Sequence, residues 1–277
     1  MISSKVLQPL VCCFGDPVAG NPTQFIMSRA ATEAGLDWRF FTAHVQASDF
    51  DAAIRGIRAL GLQGFCVLEP YQNAVGPFLD TITESGLALG RVTVGRSEGN
   101  SWLGDNLLGQ AILLTLERTI GKFEQLHERE ESIVGPKKRI VFASSSQLAK
   151  AVELSGRELN IEMLHVELSA DSVLPDMEQN DEPNLPVALV VEGRVPRGLA
   201  KQLALLRWDA NSCFLQVAVR NDIEDAEDVD LAKQMGLLYV DRIELAAQEA
   251  ACNFQFWTGV KPSFELIRES IEEYQAC

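Results

Sequence analysis

Ile243-Glu-Leu-Ala-Ala-Gln-Glu-Ala-Ala-Cys-Asn-Phe-Gln-Phe-Trp-Thr-Gly259 is the stretch on which the fold of this chain turns. Taken alone, it is an apolar-rich helix that runs into the aromatic pair Phe256-Trp257. It stops at Gly259, a residue suited to the backbone turn that closes a helix. Upstream, strands and helices alternate, which predicts an α/β fold with mainly parallel sheets. Val6 to Phe14 reads as a buried strand. Asn21-Pro22 then opens a helix, with Asn21 as cap and Pro22 in the first turn. Trp38 to Val45 alternates as a strand. Ser48 caps a helix whose inward residues are Phe50, Ile54, Ile57 and Leu60. Gly64 to Leu68 is a strand closed by Pro70. A helix through Leu79 and Ile82 and a short strand near Val92-Thr93-Val94 follow.

Leu107 to His127 carries Leu108, Ile112, Leu116, Ile120 and Phe123 at helical spacing. It ends in the charged run Glu128-Arg129-Glu130-Glu131, and Gly135-Pro136 marks a domain boundary. A second α/β unit starts at Arg139 to Ala143. A helix runs to about Glu158, and Ile161 to Glu167 is a strand. Asp171 to Pro186 is an acidic loop. Val187 to Val191 and Cys213 to Val219 are strands around a helix from Gly198 to Trp208. Asp222 to Asp230 is a charge run that reads as a solvated helix start. The expected domains are 1–106 with 241–277, a connecting helix over 107–135, and 136–240.

The 277 residues suffice for two modest cores. Residues 1–9 lack a basic start followed by an apolar run, so no signal peptide is expected. No run is long and apolar enough for a membrane span. A net charge of −15 argues against nucleic acid and anionic membrane as partners. The one basic cluster, Lys137-Lys138-Arg139, reads as the solvated start of a strand. Six cysteines without Cys-x-x-Cys spacing and three histidines argue against a zinc site. Cys12, Cys66 and Cys213 lie in apolar strands as small core residues, a usage that fits a reducing cytoplasm.

Five segments, in order, resemble the shikimate/quinate dehydrogenases. Gly15-Asp16-Pro17 is similar to the start of that family's "G-x-P-x-x-H-S-x-S-P". Residues 64–72, from Gly64 to Gln72, look like "G-x-N-V-T-x-P-x-K". Leu103 to Gly109 looks like "L-x-G-x-N-T-D-G". Ala143-Ser144-Ser145-Ser146 falls on the nucleotide loop "G-A-G-G", and Gly236 to Gly259 on the closing helix "M-L-V-x-Q-A-A-x-x-F-x-x-W-x-G". The resemblance implies a two-domain α/β protein. Its N-terminal part would be a shikimate-dehydrogenase-like α/β domain, joined to a Rossmann-like domain of the nucleotide-binding type.

The resemblance also implies where chemistry should sit. The family pairs a lysine with an aspartate to move the proton that accompanies hydride transfer. Those positions are Gln72 and Leu108, and neither side chain titrates near neutral pH. No catalytic residue is therefore expected. Asn21 and Thr23 replace the two serines that hold the substrate carboxylate; at a helix start they retain some capacity for an anion. The asparagine and threonine of "N-V-T" become Cys66 and Leu68. Thr93 or Val92 takes the place of another asparagine, and Asn106 matches. Gln248 and Glu249 stand at the substrate-contacting glutamine, where Glu249 would repel an anionic acid. Tyr71 is the best substitute acid, although its ordinary pKa of about 10 makes it weak. His44 and His165 lie near strand ends without obvious partners.

The cofactor loop departs from the family in its own way. Ser144, Ser145 and Ser146 bring Cβ atoms to a turn that needs glycine for close approach of a pyrophosphate. Their hydroxyls remain available to cap the helix or meet an anion. Glu167, with no arginine beside it, favours NAD over NADP if any dinucleotide binds. Two functional readings follow. The preferred one is a binding or regulatory homologue, taking a small molecule in an interdomain cleft and lacking NADP-dependent shikimate/3-dehydroshikimate oxidoreduction. The alternative is an active, diverged NAD(P)-dependent dehydrogenase on a shikimate/quinate-like small acid.

Overall fold

The computed structural model describes residues 8–126, 138–157, 161–168, 174, 185–217 and 226–276. The chain divides into two compact units, Met1–Ala111 with Leu245–Cys277, and Ile112–Glu244. The sequence boundary at Gly135-Pro136 and the charged run before it lie outside the described residues, as does most of the acidic loop.

The first unit is built on β1 (Leu10–Gly15), α1 (Thr23–Glu33), β2 (Arg39–His44), α2 (Phe50–Ala59), β3 (Gly64–Val67), β4 (Thr81–Ile82), α3 (Glu84–Leu89), β5 (Val94–Glu98) and β6 (Ser101–Asp105). Its six strands are ordered β2-β1-β3-β5-β6-β4. β1 runs parallel to β2 and β3, but β5 is antiparallel to both β3 and β6. The sheet is therefore mixed. The β5–β6 hairpin, which the strand–helix pattern misses, turns on Gly99-Asn100 between the paired Glu98 and Ser101, with Gly99 at φ 71°. Glycine in that first turn position is a hairpin signal readable in the sequence.

Three further local expectations are corrected. Pro22, not Asn21, is the residue at the N-terminal boundary of α1; the Asn21 side chain instead accepts the Thr23 N–H at 3.0 Å. Ser48 lies within a 3-10 turn, Ala47–Asp49, that precedes α2, and caps nothing. The segment through Leu79 and Ile82 is a 3-10 turn and a short strand, and α3 starts only at Glu84, where the Thr83 hydroxyl accepts the Gly86 N–H. Pro77 in that turn suits a break rather than a continuing helix.

Alternation sorts the two sheet faces. Cys12 and Phe14 of β1 and Phe65 and Val67 of β3 join Phe50, Ile54, Tyr71 and Trp102 in one core. Cys13, Gly64 and Cys66 take the other face. There α8 (Arg242–Thr258) brings Trp257, whose indole N–H donates to the Gly95 carbonyl at 3.1 Å. The indole fills the room Gly64 leaves: a Cβ on Gly64 would stand 2.5 Å from Trp257 Cδ1. Phe40 packs on both Phe254 and Trp257. α9 (Phe264–Gln275) then meets α1 through Phe25 and Tyr274 and an Arg29–Glu273 ion pair.

α4 (Leu108–Leu126) leads into the second unit, which holds β7 (Lys138–Ser144), α5 (Ser146–Ser155), β8 (Ile161–Glu167), β9 (Pro186–Glu192), α6 (Arg197–Leu203), β10 (Cys213–Val217), α7 (Ala226–Gln234) and β11 (Leu238–Val240). Its five strands, ordered β11-β10-β9-β7-β8, are all parallel. Strand order reverses between β7 and β9, the place where ligands meet a doubly wound sheet. Among the described residues, no helix is long and apolar enough to cross a membrane.

The seat of Trp257 gives a direct test. Gly64→Ala forces a methyl group into the indole, and overpacking of this kind costs about 1–3 kcal/mol. The urea midpoint of the variant should fall; an unchanged midpoint would show that the indole does not sit on Gly64.

Candidate functional site

A chain of side-chain and backbone contacts joins most of the sequence candidates of the first unit into one neighbourhood. The Cys13 thiol donates to Asn21 Oδ1 at 3.6 Å, and the Thr23 hydroxyl also reaches Cys13. Cys13 faces Cys66 in register across β1 and β3. Cys66 lies within electrostatic reach of Glu249, and Glu249 within reach of Arg91. The Arg91 carbonyl accepts from Asn106 Nδ2 at 3.3 Å. Gln72 lies alongside: its carbonyl accepts the Val92 N–H, and its amide donates to the Val67 carbonyl at 3.3 Å. Thr93 exchanges backbone bonds with Val67 and Asp105. Gln248 donates weakly to Cys252 Sγ at 3.9 Å.

Several of these groups are already engaged by the chain. Asn106 is buried, and its Oδ1 accepts the Leu108 N–H at 3.2 Å, so it starts α4. Leu108 itself is the first residue of α4 and brings no polar atom. Two other atoms are not engaged. Thr93 Oγ1 and Asn253 Oδ1 are buried without a protein hydrogen-bond partner. Such groups cost about 1–3 kcal/mol if left unmet, so they favour a ligand or water. Asn253, Arg91 and Cys13 escaped the sequence reading; the spacing of Asn253 four residues after Glu249 is the one cue that could have drawn it in.

Tyr71 is withdrawn as a proton donor. It is buried in the core, stacks on Phe50 at 4.6 Å, and its hydroxyl donates to the Val45 carbonyl at 2.6 Å. Burial, with Asp16 and Asp49 adding negative charge, pushes its hydroxyl above the ordinary value of 10. The histidines do have neighbours. His44 Nε2 lies 3.6 Å from Asp16 Oδ1, and His165 Nε2 lies 3.0 Å from the Ser144 carbonyl. A cavity of about 840 Å³ borders α1, lined in part by Gln24, Phe25, Arg29, Thr42 and Tyr274, and meets the candidate residues only at Asn21.

Titration sets this neighbourhood apart. Burial raises the Glu249 carboxyl, with Arg91 opposing it in part. Burial likewise raises Asp105, against the pull of Thr83, the Asn106 N–H and Arg96. Cys13 moves the other way: the Cys66 thiol donates to its sulfur and lowers it, burial opposes, and Thr23 assists. Among the described residues no group of three or more His, Cys, Asp or Glu could hold a metal ion.

In the second unit, β7 ends at Ser144 and α5 begins at Ser146, as the phosphate-binding turn of a doubly wound sheet would. The turn is occupied from within. Glu192, at the end of β9, accepts the Ser145 N–H at 2.7 Å. The Ser145 hydroxyl accepts the Leu148 N–H, and the Ser144 hydroxyl donates to the Ser145 carbonyl at 3.0 Å. Ser146 is exposed, and Glu167 is exposed at the end of β8, in register with Ser144. A pyrophosphate on this turn would meet the Glu192 carboxylate. Like charges about 4 Å apart repel by about 1 kcal/mol in bulk water and about 4 kcal/mol near a protein surface. With Cβ atoms on all three serines as well, the turn does not fit a dinucleotide pyrophosphate.

Fold and turn together define a two-domain α/β protein with a Rossmann-like parallel sheet. The family model for the shikimate dehydrogenase substrate binding domain matches residues 13–94, a span that includes Cys13, Asn21, Thr23, Cys66, Gln72 and Thr93. Over 273 residues the chain is 26% identical to the shikimate dehydrogenase (NADP(+)) of Bacillus subtilis (strain 168), covering 96% of this chain and 97% of that protein. The shikimate 5-dehydrogenase of Thermus thermophilus, solved with NADP(H) and shikimate, superposes with a TM-score of 0.67 at 18% identity, over 96% of this chain and 100% of that one. The ligand-free 5-ketofructose reductase of Gluconobacter sp. strain CHM43 does so with a TM-score of 0.66 at 17% identity, over 97% and 99%. Residues 13–94 thus match the substrate binding domain of the shikimate dehydrogenases, and the chain is similar to such proteins over nearly its whole length.

Glu249 offers a pH test. A carboxyl that holds its proton more tightly when folded contributes stability that is complete below the unfolded value, near 4.5, and is lost as pH rises through the folded value. Glu249→Gln removes that loss. The variant should resist urea better than the native chain at pH 7, and the gap should close as the pH falls toward 4.5. A gap that widens on acidification would show that Glu249 is held as a stabilised carboxylate.

Proposed function

We propose that this chain is a binding or regulatory member of its family: it takes a small polar ligand on the first unit and does not interconvert shikimate and 3-dehydroshikimate with NADP. The observation that carries this reading is the state of the two family proton-transfer positions. Gln72 spends its amide on the Val67 carbonyl, and Leu108 supplies only carbon at the start of α4. Neither can hold or pass a proton. The internal carboxylate on the Ser145 N–H supports the same reading from the nucleotide side. The unpartnered Thr93 and Asn253 oxygens support retained ligand binding. With Glu249 beside Cys66, a polar ligand of low negative charge fits better than an anionic acid.

One observation favours a second reading, an active diverged NAD(P)-dependent dehydrogenase on a shikimate/quinate-like small acid. Burial raises the Glu249 carboxyl, and a more tightly held proton is what a general acid needs. Glu167 would favour NAD in that case.

Assays of NAD- and NADP-dependent oxidation of shikimate and quinate separate the two. The native chain should be silent, far below the ordinary range of about 1–10³ per second, and NADP should give no rise in melting temperature. Turnover in that range, lost by about 10²- to 10⁴-fold in Glu249→Gln, would overturn the first reading and support the second. The variant Gln72→Lys/Leu108→Asp should gain shikimate oxidation only if the turn at Ser145 admits a nucleotide, so activity in it would overturn the assignment of that turn as blocked.

A further inference from the structure

Cys13 and Cys66 border the proposed ligand neighbourhood, but the proposed function gives their sulfurs no chemistry. They sit opposite each other in register on the adjacent parallel strands β1 and β3, on the same sheet face. That register suits the Cα separation a disulfide requires. Both thiols are free and deeply buried, at 2% and 7% exposure. Cys66 lies close enough to act on the Cys13 sulfur, as does the Thr23 hydroxyl, and the Cys13 thiol donates to Asn21 Oδ1 at 3.6 Å. Thr23 is the first residue of α1, so the sulfur lies by the positive end of a helix dipole.

Cys12 is the built-in comparison. One residue away and as deeply buried, it points into the opposite, aromatic core. Burial pushes its thiol up to about 12, and pushes Cys213 to about 12 and Cys252 to about 11. Cys13 alone among the described cysteines is lowered. Cys66 and the Thr23 hydroxyl act as donors that favour thiolate, the reactive form, at Cys13; the Asn21 Oδ1 acceptor and burial oppose it.

We infer that Cys13 and Cys66 form a reactive dithiol, in which a small hydroperoxide oxidises Cys13 and Cys66 resolves the product as an intramolecular disulfide. In the first step the Cys13 thiolate attacks one peroxide oxygen. The O–O bond breaks, and water, or an alcohol from an alkyl hydroperoxide, leaves with a proton, giving Cys13 sulfenic acid. In the second step the Cys66 sulfur, losing its proton, attacks the Cys13 sulfur. The S–O bond breaks, a water molecule leaves, and the S–S bond forms. The two thiols give up two electrons and the peroxide takes them, so no further oxidant is needed. Neither the ligand nor a nucleotide takes part, so failure of this inference leaves the assignment of Gln72 and Leu108 untouched.

The test treats the full-length native protein, in a Cys277→Ser background, with hydrogen peroxide at a small molar excess and maps its peptides without reduction. The expected product is a Cys13–Cys66 cross-linked pair, lighter by two hydrogen atoms and reversed by dithiothreitol. Cys13 should be consumed on the order of tenfold or more faster than Cys12. In Cys66→Ser, with Cys66→Ala as a second variant should the first not fold, Cys13 should accumulate as a sulfenic acid trapped by a dimedone-type reagent. A map with no Cys13–Cys66 link, or one in which Cys13 and Cys12 react at equal rates, would overturn the inference.

Discussion

The seat of Trp257 on Gly64 and Gly95 is the constraint from which the first unit takes its form. The indole needs two things at once: an apolar slot and an acceptor for its N–H. Gly64 gives the slot by having no side chain, and the Gly95 carbonyl gives the acceptor. Gly95 has a second duty, because a Cβ there would stand 2.2 Å from the Phe65 ring. One sheet position thus clears the aromatic core on one face and fixes α8 on the other. Glu249 lies about two helical turns before Trp257. With the indole seated, that carboxyl comes within reach of Cys66 and Arg91. Residues from Leu245 onward therefore complete the unit that the first strands begin.

Around that frame, polar groups have turned inward. Gln72 serves the Val67 carbonyl, Asn106 starts α4, Asn21 holds the Thr23 N–H, and Glu192 takes the Ser145 N–H. Each such bond is modest, about 0.5–1.5 kcal/mol net. Its effect on binding is larger than its size suggests, since a ligand must displace the internal partner and leave it somewhere to go. Glu192 is the clearest case, because the displaced group carries the same sign as the phosphate that would replace it. Thr93 Oγ1, Asn253 Oδ1 and Thr42 Oγ1 are buried side-chain atoms without such an internal partner.

How far the sequence alone could go follows from the range of each interaction. The α/β class, the order of the family-like segments and the helix ending in Trp257-Thr258-Gly259 were legible because they rest on local periodicity and spacing. The hairpin at Gly99-Asn100 was legible in principle and was obscured by the motif at Leu103 to Gly109. Tyr71 shows a different limit: its neighbour Gln72 sits at a family site, but one residue along a turn sends the phenol into the opposite core, where Val45 takes its hydroxyl. The Glu192–Ser145 bond joins residues 47 apart in sequence, and the Cys13–Cys66 pairing depends on strand register, which a single-residue slip would abolish. Neither partner carries a local signal of the other.

Under the proposed reading, positions 72 and 108 set this chain apart from the family pattern that it resembles. The scaffold at the two proton-transfer positions tolerates the missing groups. A lysine at position 72 has donors enough to keep the Val67 carbonyl satisfied and still face a substrate. An aspartate at position 108 would stand at the start of α4, where the helix dipole favours negative charge. Leu108 gives up that favourable interaction, so helix stability does not explain its presence. What the present residues do preserve is internal hydrogen bonding without a titratable pair. On the nucleotide side the logic is the same, with one carboxylate closing the turn that a pyrophosphate would need. The two changes act on different steps, one on proton transfer and one on cofactor binding. Under the proposed reading either change suffices to stop the reaction, so their effects do not add. Trp257, Gly64, Gly95 and the sheet register maintain the first unit without calling on the side chains at positions 72 and 108.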